Sequence, residues 1–90
     1  MNSNKNKIDK WKQEKNHLHR EIIFRDFKEA LYAMNLIGIA AEELNHHPDW
    51  SNSYNILKIK LFTHTANSVT EIDYTLALKI NEIIAENFTI

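Results

Sequence analysis

Alternation of hydrophobic and polar positions predicts two main β-strands in this 90-residue chain. Residues 54–63 alternate most regularly, and residues 17–25 alternate with Arg20 set among the apolar positions. One apolar and one mostly polar face is typical of an antiparallel sheet that is covered on one side. A shorter strand is predicted at residues 9–14, and residues 48–53 are expected to add another. The apolar positions of the two main strands are Leu18, Ile22 and Phe24, and Leu57, Ile59 and Leu61.

A first amphipathic helix is predicted to begin after Asp26. Glu29 lies three residues further on, and this pair matches a capping box, in which side chains bond the free N–H groups of the first turn. Pro48 disfavours helical geometry at the residue before it, so the helix should end near Asn45 or His46. Its apolar positions have helical spacing and are predicted to form a broad buried stripe, which consists of Phe27, Ala30, Leu31, Met34, Ile37, Ala41 and Leu44.

A second helix is predicted after Thr70, where Asp73 repeats the capping pattern. Its apolar positions are Ile72, Leu76, Ile80, Ile83 and Ile84. The element order predicts an α+β fold, with an antiparallel sheet of about four strands and helices packed on one face. Residues 1–8 are expected to form a flexible polar leader, and residues 9–90 a single domain.

Composition narrows the possible functions. Eleven basic and twelve acidic residues give a formal charge of −1, which does not favour a nucleic-acid partner. The absence of cysteine excludes disulfides, zinc ribbons and thiol nucleophiles. No secretory signal is evident, and the longest apolar run, residues 36–41, is far shorter than a membrane span. A soluble, cytoplasmic protein with no membrane partner is therefore expected.

The strongest candidate for chemistry is the pair His46-His47, followed by Pro48 at the predicted helix end. Imidazole exchanges protons near neutral pH, and a following proline could hold the pair at a defined angle. Glu42 lies four residues before His46, one helical turn away, where it could orient that ring. The competing interpretation is structural, because histidines near a helix C-terminus also interact favourably with the helix dipole.

Zinc binding is a further alternative. Its ligands would be His46, His47 and His64, or His17 with His19 on one strand face. No pair of histidines has the i,i+4 spacing of a helical zinc site, and no cysteine is available. No metal site is therefore predicted, and His17 and His19 are interpreted as solvent-facing strand residues.

Several segments at defined spacings resemble one protein family. They are Trp11, the run Leu18–Phe27, Glu42, the run His46–Trp50, Tyr54-Asn55, Thr63-His64, Thr70-Glu71, Asp73 and Ala77. Together they span about residues 11–84 and resemble the pterin-4a-carbinolamine dehydratases. The sequence departs from the family pattern at two backbone positions. Lys10 stands in place of a glycine, and the loop after His64 lacks a glycine, so that Asn67 is expected to adopt the left-handed conformation.

The resemblance implies dehydration of 4a-hydroxytetrahydropterin to quinonoid dihydropterin and water, which recycles the pterin used by aromatic amino acid hydroxylases. Family members carry three active-site histidines, which correspond to His46, His47 and His64, and nearby acidic residues, which correspond to Glu42 and Asp73. The pterin is the substrate, and no cofactor is implied.

Some consequences of the resemblance concern neighbouring residues and partners. Trp50 is interpreted either as a wall of the pterin site or as a core aromatic that anchors the loop. Asp73 is expected to order the loop that carries His64. The resemblance also implies a homodimer or homotetramer. An alternative function within the family is that of a non-catalytic module for oligomerisation or for binding a transcription factor.

Overall fold

In a computed structural model, which describes residues 8–90, the chain forms a four-stranded sheet and two helices. The elements are β1 (Lys12–Gln13), β2 (Leu18–Ile23), α1 (Phe27–Leu44), β3 (Asp49–Ser53), β4 (Ile56–Leu61) and α2 (Glu71–Asn87). The predicted α+β class is confirmed, as is the additional strand within residues 48–53. No helix among residues 8–90 is both long and apolar enough to cross a membrane.

The sheet is antiparallel throughout, with strand order β1-β2-β4-β3. β4 lies in the middle and pairs with β2 on one side and with β3 on the other. In the second pairing Asp49 at the start of β3 lies opposite Lys60 near the end of β4. The chain leaving α1 therefore enters the sheet beside the point where β4 ends, and this register determines where the functional site forms.

The strands are shorter than the hydrophobic pattern predicted. β4 begins at Ile56 rather than at residue 54, because Tyr54 has φ 52° and belongs to the turn after β3. The side-chain amide of Asn52 donates to the carbonyl oxygens of Tyr54 and Ile56 at 3.1 and 3.0 Å and holds this turn. Alternation alone does not show where the chain must reverse direction.

The hydrophobic core lies between one face of the sheet and the two helices. Buried side chains alternate along the strands as predicted, at Leu18, Ile22 and Phe24 and at Leu57, Ile59 and Leu61. The helices contribute Ala30, Ala33, Ile37, Leu76, Ala77, Ile80 and Ile84. Because the alternate strand positions are solvent-facing or half-buried, the helices cover a single face of the sheet.

The buried side of α1 differs from the predicted stripe. Phe27 and Leu31 are 44% and 45% exposed, so their assignment to the buried face was wrong. The buried positions are mostly small, namely Ala30, Ala33, Ile37, Ala40 and Ala41. The helix is rotated so that its alanines face the core, and short side chains allow close approach to the layer beneath. A prediction based on hydrophobicity gave the larger residues too much weight.

The cap of α1 is also slightly different from the predicted capping box. The Asp26 side chain accepts from the backbone N–H of Glu29 at 2.9 Å, as predicted. The Glu29 carboxylate accepts instead from the backbone N–H of Arg25 at 3.0 Å, one residue before the expected position. The cap therefore also engages Arg25, the residue before the N-cap.

Asn81 on α2 connects three segments of the fold. Its Oδ1 accepts hydrogen bonds from Nε1 of Trp11 at 2.8 Å and from Nη1 of Arg20 at 2.7 Å. Its Nδ2 donates to the carbonyl oxygen of Asp9 at 2.8 Å. Burial lowers the pKa of the Arg20 guanidinium, and the nearby Asp9 carboxylate opposes this effect. This arrangement ties the start of the domain to the sheet and to α2.

The first described residues already belong to the domain. Ile8, which was assigned to the leader, is only 7% exposed and packs in the core. The rest of the predicted leader, residues 1–7, lies outside the described part of the chain. Lys10 has φ 77°, a conformation that favours glycine, in agreement with its position in place of the family's glycine.

Candidate active site

The His46-His47 pair follows a left-handed turn that ends α1. Asn45 has φ 53° and ψ 43°, and its N–H donates to the carbonyl oxygen of Glu42 at 3.1 Å. The N–H of His46 reaches back to the carbonyl oxygen of Ala41 at 3.0 Å. This is a Schellman-type ending, which turns the chain away from the helix axis. The predicted end near Asn45 is confirmed, and the two histidines lie outside the helix.

The His46 ring is held by a buried carboxylate. Its Nε2 lies 2.6 Å from Oδ1 of Asp73, and the two side chains are 13% and 0% exposed. Because a carboxylate only accepts hydrogen bonds, Nε2 of His46 is assigned as the donor. The other ring nitrogen of His46, Nδ1, then has no hydrogen-bond partner within residues 8–90.

Asp73 is also bonded to the segments on either side of the His64 loop. Its Oδ2 accepts from the Thr63 hydroxyl at 2.8 Å and from the backbone N–H of Thr70 at 2.8 Å. Thr70 and Asp73 form the predicted capping box at the start of α2, where negative charge also complements the helix dipole. The hydroxyls of Thr63 and Thr70 lie 2.7 Å apart. Asp73 therefore links the start of α2, the end of β4 and His46.

Glu42 does not occupy the position that was predicted for it. The sequence placed it beside His46, but its Oε2 accepts from Nε2 of His47 at 2.6 Å. The i,i+4 relation of Glu42 and His46 requires a continuous helix, and the left-handed turn at Asn45 breaks it. This pair is largely solvent-exposed, with 56% of the His47 side chain and 77% of the Glu42 side chain accessible.

His64 is exposed in the loop between β4 and α2. The loop is closed by a β-bridge between Thr63 and Ser68, and the Asn67 N–H donates to the Thr63 carbonyl oxygen at 2.7 Å. Asn67 has φ 53°, so the predicted left-handed conformation is confirmed. The His64 ring packs against Phe62, with ring centroids 4.4 Å apart and planes inclined by 40°.

These segments enclose one cavity of about 410 Å³. Its lining combines the end of α1 with the loop after β4 and consists of Asn45, His46, His47, Pro48, Asp49, Thr63, His64 and Thr65. The three candidate histidines and Pro48 therefore face the same space. A cavity of this volume is suited to a small-molecule ligand. A groove of about 440 Å³ between α1 and α2 is lined by residues such as Ala40, Leu44 and Leu78 and contains no histidine.

Of the two roles that the sequence left open for Trp50, its position matches that of the core aromatic. It lies on β3 opposite Ile59, packs against the hydrophobic core and is not among the lining residues of the histidine cavity. Trp50 therefore anchors the start of β3. Sequence reasoning did not give a role to the Thr63 hydroxyl or to Phe62, since no local pattern distinguishes them from ordinary strand residues.

The side chains of the site do not have the grouping that a metal centre requires. Within residues 8–90, no three histidine, aspartate or glutamate side chains are grouped so that they could hold a metal ion. The histidines form carboxylate pairs and an aromatic contact instead. The site is therefore defined as a histidine-lined cleft at one end of an α+β domain.

Comparison with known proteins shows the family to which the chain belongs. The profile of the family described as pterin 4 alpha carbinolamine dehydratase matches residues 1–83. A Prochlorococcus marinus (strain MIT 9515) protein with the provisional name pterin-4-alpha-carbinolamine dehydratase is 46% identical over 77 residues, which cover 86% of this chain and 80% of that protein. A similarly named protein of Christiangramia forsetii is 44% identical over 78 residues, which cover 87% and 80% of the two chains.

A solved structure shows the same fold. The crystal structure of a Brucella melitensis protein, described as a transcriptional coactivator/pterin dehydratase, superposes with a TM-score of 0.80 and 39% sequence identity. The match covers 83% of this chain and 82% of the Brucella chain. The present chain therefore belongs to the pterin-4-alpha-carbinolamine dehydratase family.

Proposed function

We propose that this protein dehydrates a 4a-hydroxytetrahydropterin to a quinonoid dihydropterin by acid–base catalysis with histidines. The observation that carries the proposal is the convergence of His46, His47 and His64 on one cavity, although His64 comes from a distant part of the chain. Membership of the family supports the choice of a pterin as the substrate. The pterin is the reactant in this proposal, and no additional cofactor takes part.

The reaction needs two proton transfers that balance each other. The C4a–O bond breaks as a proton is delivered to the hydroxyl, which leaves as water. N5 loses its proton as the C4a–N5 double bond forms. Two imidazoles in different protonation states can perform both steps near neutral pH.

We assign His46 and His64 to these transfers and His47 to holding the pterin ring. His46 is the better candidate for the base, because Nε2 donates to Asp73 and Nδ1 is left with a lone pair. The buried carboxylate would stabilise the imidazolium that forms when Nδ1 accepts the N5 proton. His64 would then deliver the proton to the leaving hydroxyl. Glu42 would orient His47 through their hydrogen bond.

The test is stopped-flow absorbance with freshly generated carbinolamine. The wild-type protein should accelerate dehydration over buffer, and His46→Ala and His64→Ala should each lower kcat by about 10²–10⁴-fold. The chain supplies matched controls, since His17 and His19 do not line the cavity. His17→Ala and His19→Ala should leave kcat unchanged. A wild-type rate equal to that of buffer would reject the proposed reaction.

A second candidate function is a non-catalytic interaction module. The description of the Brucella melitensis protein as a transcriptional coactivator as well as a pterin dehydratase favours considering it. The two functions separate in a variant with His46, His47 and His64 all replaced by alanine. A cellular phenotype that is unchanged in this variant supports the interaction module, whereas a loss that tracks dehydratase activity supports the enzyme.

We also propose that the protein is a homodimer or homotetramer. β3 is an edge strand with one side unpaired within the described chain, and such an edge can pair with another copy. The outward face of α1 adds the exposed apolar residues Leu31 and Ile39. Light scattering after size exclusion would measure the mass of the assembly, and a monomer at micromolar concentration would contradict this proposal. A functional link to an aromatic amino acid hydroxylase would follow from recycling of its pterin.

A further inference from the structure

His64 is held differently from the other two histidines of the cavity. His46 and His47 each donate to a carboxylate. The His64 side chain forms no hydrogen bond or ion pair with any residue within 8–90. Its side-chain partner in that part of the chain is the ring of Phe62, 4.4 Å away between centroids.

An exposed imidazole without such a partner would rotate among several rotamers. A flat ring packed against it removes part of that freedom, because the offset contact is favourable only over a narrow range of orientations. Both nitrogens of His64 remain available for a ligand, since the contact uses the face of the ring and neither nitrogen has a partner in residues 8–90. Phe62 therefore restrains His64 without competing for its proton.

The backbone explains why these two rings meet. Residues two apart on an extended segment project to the same side, so Phe62 and His64 share a side and Thr63 points to the other. Thr63 is fixed by the hydrogen bond from its hydroxyl to Asp73 at 2.8 Å. The same anchor that binds His46 thus sets the orientation of the segment carrying Phe62 and His64.

We propose that Phe62 is a positioning residue for His64, with its ring forming the support against which the imidazole is held at the cavity. This inference rests on the proposed catalytic function of His64. It predicts that Phe62 affects the reaction only through His64. Phe62 itself is not among the residues that line the cavity, so a direct contact with the pterin is not part of the inference.

The first test does not depend on the reaction. Nuclear Overhauser effects between the Phe62 ring protons and the His64 imidazole protons should be observed in the wild-type protein. In Phe62→Leu the His64 ring resonances should shift, because the neighbouring aromatic ring current is removed. Absence of the Overhauser effects would overturn the inference, whether or not the protein proves to be a dehydratase.

The second test is a double-mutant cycle with the dehydration assay. Phe62→Leu keeps an apolar side chain and should lower kcat by about 10- to 100-fold with little change in KM. Phe62→Tyr keeps the ring and should retain kcat near the wild-type value. Phe27→Leu is the matched control, since this half-exposed phenylalanine lies at the opposite end of α1 from the histidines. In a His64→Ala background, Phe62→Leu should cause no further loss.

The outcomes separate the two proposals. A wild-type protein without activity rejects the proposed function and leaves the ring contact to the Overhauser measurement. An active wild-type protein with equal losses from Phe62→Leu in both backgrounds rejects the positioning role alone. An unchanged kcat in Phe62→Leu also rejects it. If Phe62→Leu does not fold, the Overhauser effects and the Phe62→Tyr rate still decide the question.

Discussion

His46 and Asp73 are 27 residues apart in the chain, and Nε2 of the first lies 2.6 Å from Oδ1 of the second. The Asp73 side chain is fully buried and also accepts hydrogen bonds from Thr63 and Thr70. One carboxylate therefore caps α2, orders the segment after β4 and orients the His46 ring. Structure and proposed chemistry depend on the same side chain.

Asp73→Asn should lower kcat by about 10- to 100-fold, since the neutral amide can no longer stabilise a protonated His46. The variant nearly preserves the size of the side chain, so stopped-flow rates can be compared with unfolding curves of the same protein. Asp26→Asn is the control, because it neutralises the cap of α1 without touching a histidine. Equal kcat values for Asp73→Asn and the wild type would contradict the proposed role.

Glu42→Ala should act on substrate binding rather than on stability. The Glu42–His47 pair is mostly exposed, so its loss should change the free energy of unfolding by less than about 1 kcal/mol. KM should rise by up to about tenfold if His47 holds the pterin ring. The neighbouring exposed Glu43 provides the control variant Glu43→Ala. A fall in kcat at constant KM would instead place His47 in proton transfer.

Lys10→Gly should stabilise the protein. Lys10 has φ 77°, and a left-handed conformation costs a residue with a side chain about 1–2 kcal/mol. Glycine has greater freedom in the unfolded chain, so the net gain should be about 0.5–1 kcal/mol. Asn67→Gly should have a smaller effect, because asparagine tolerates its φ of 53°. Urea denaturation measures the free energy of unfolding of both variants. A Lys10→Gly protein less stable than the wild type would contradict the proposed backbone strain at this position.

Asn81→Ala should destabilise the fold by about 2–4 kcal/mol, because the buried guanidinium of Arg20 and the indole of Trp11 lose their shared acceptor. Asn87→Ala is the control on the same helix, where the exposed amide bonds only the carbonyl oxygen of Ile83. Its effect should stay within about 0.5 kcal/mol. Similar unfolding midpoints for the two variants would show that the Asn81 contacts contribute little.

Local sequence signals predicted the secondary structure but not the pairing of side chains. Capping residues and Pro48 located both ends of α1 and the start of α2, because these signals act within one turn of the chain. The partner of His46 was predicted to be Glu42, on the assumption that the helix continued to the histidines. The left-handed turn at Asn45 changed the geometry, and the predicted pair was wrong.

The sequence by itself determined the order of elements, the buried face of the two main strands and the presence of a histidine pair at a helix end. These features depend on hydrophobic periodicity and on short-range hydrogen bonding. The family resemblance named His64 and Asp73, but only the tertiary structure decided which side chains contact that pair. The antiparallel register of β3 with β4 brings His64 to it, and the packing of α2 brings Asp73. Such contacts depend on the packing of elements far apart in the chain, which no local pattern specifies.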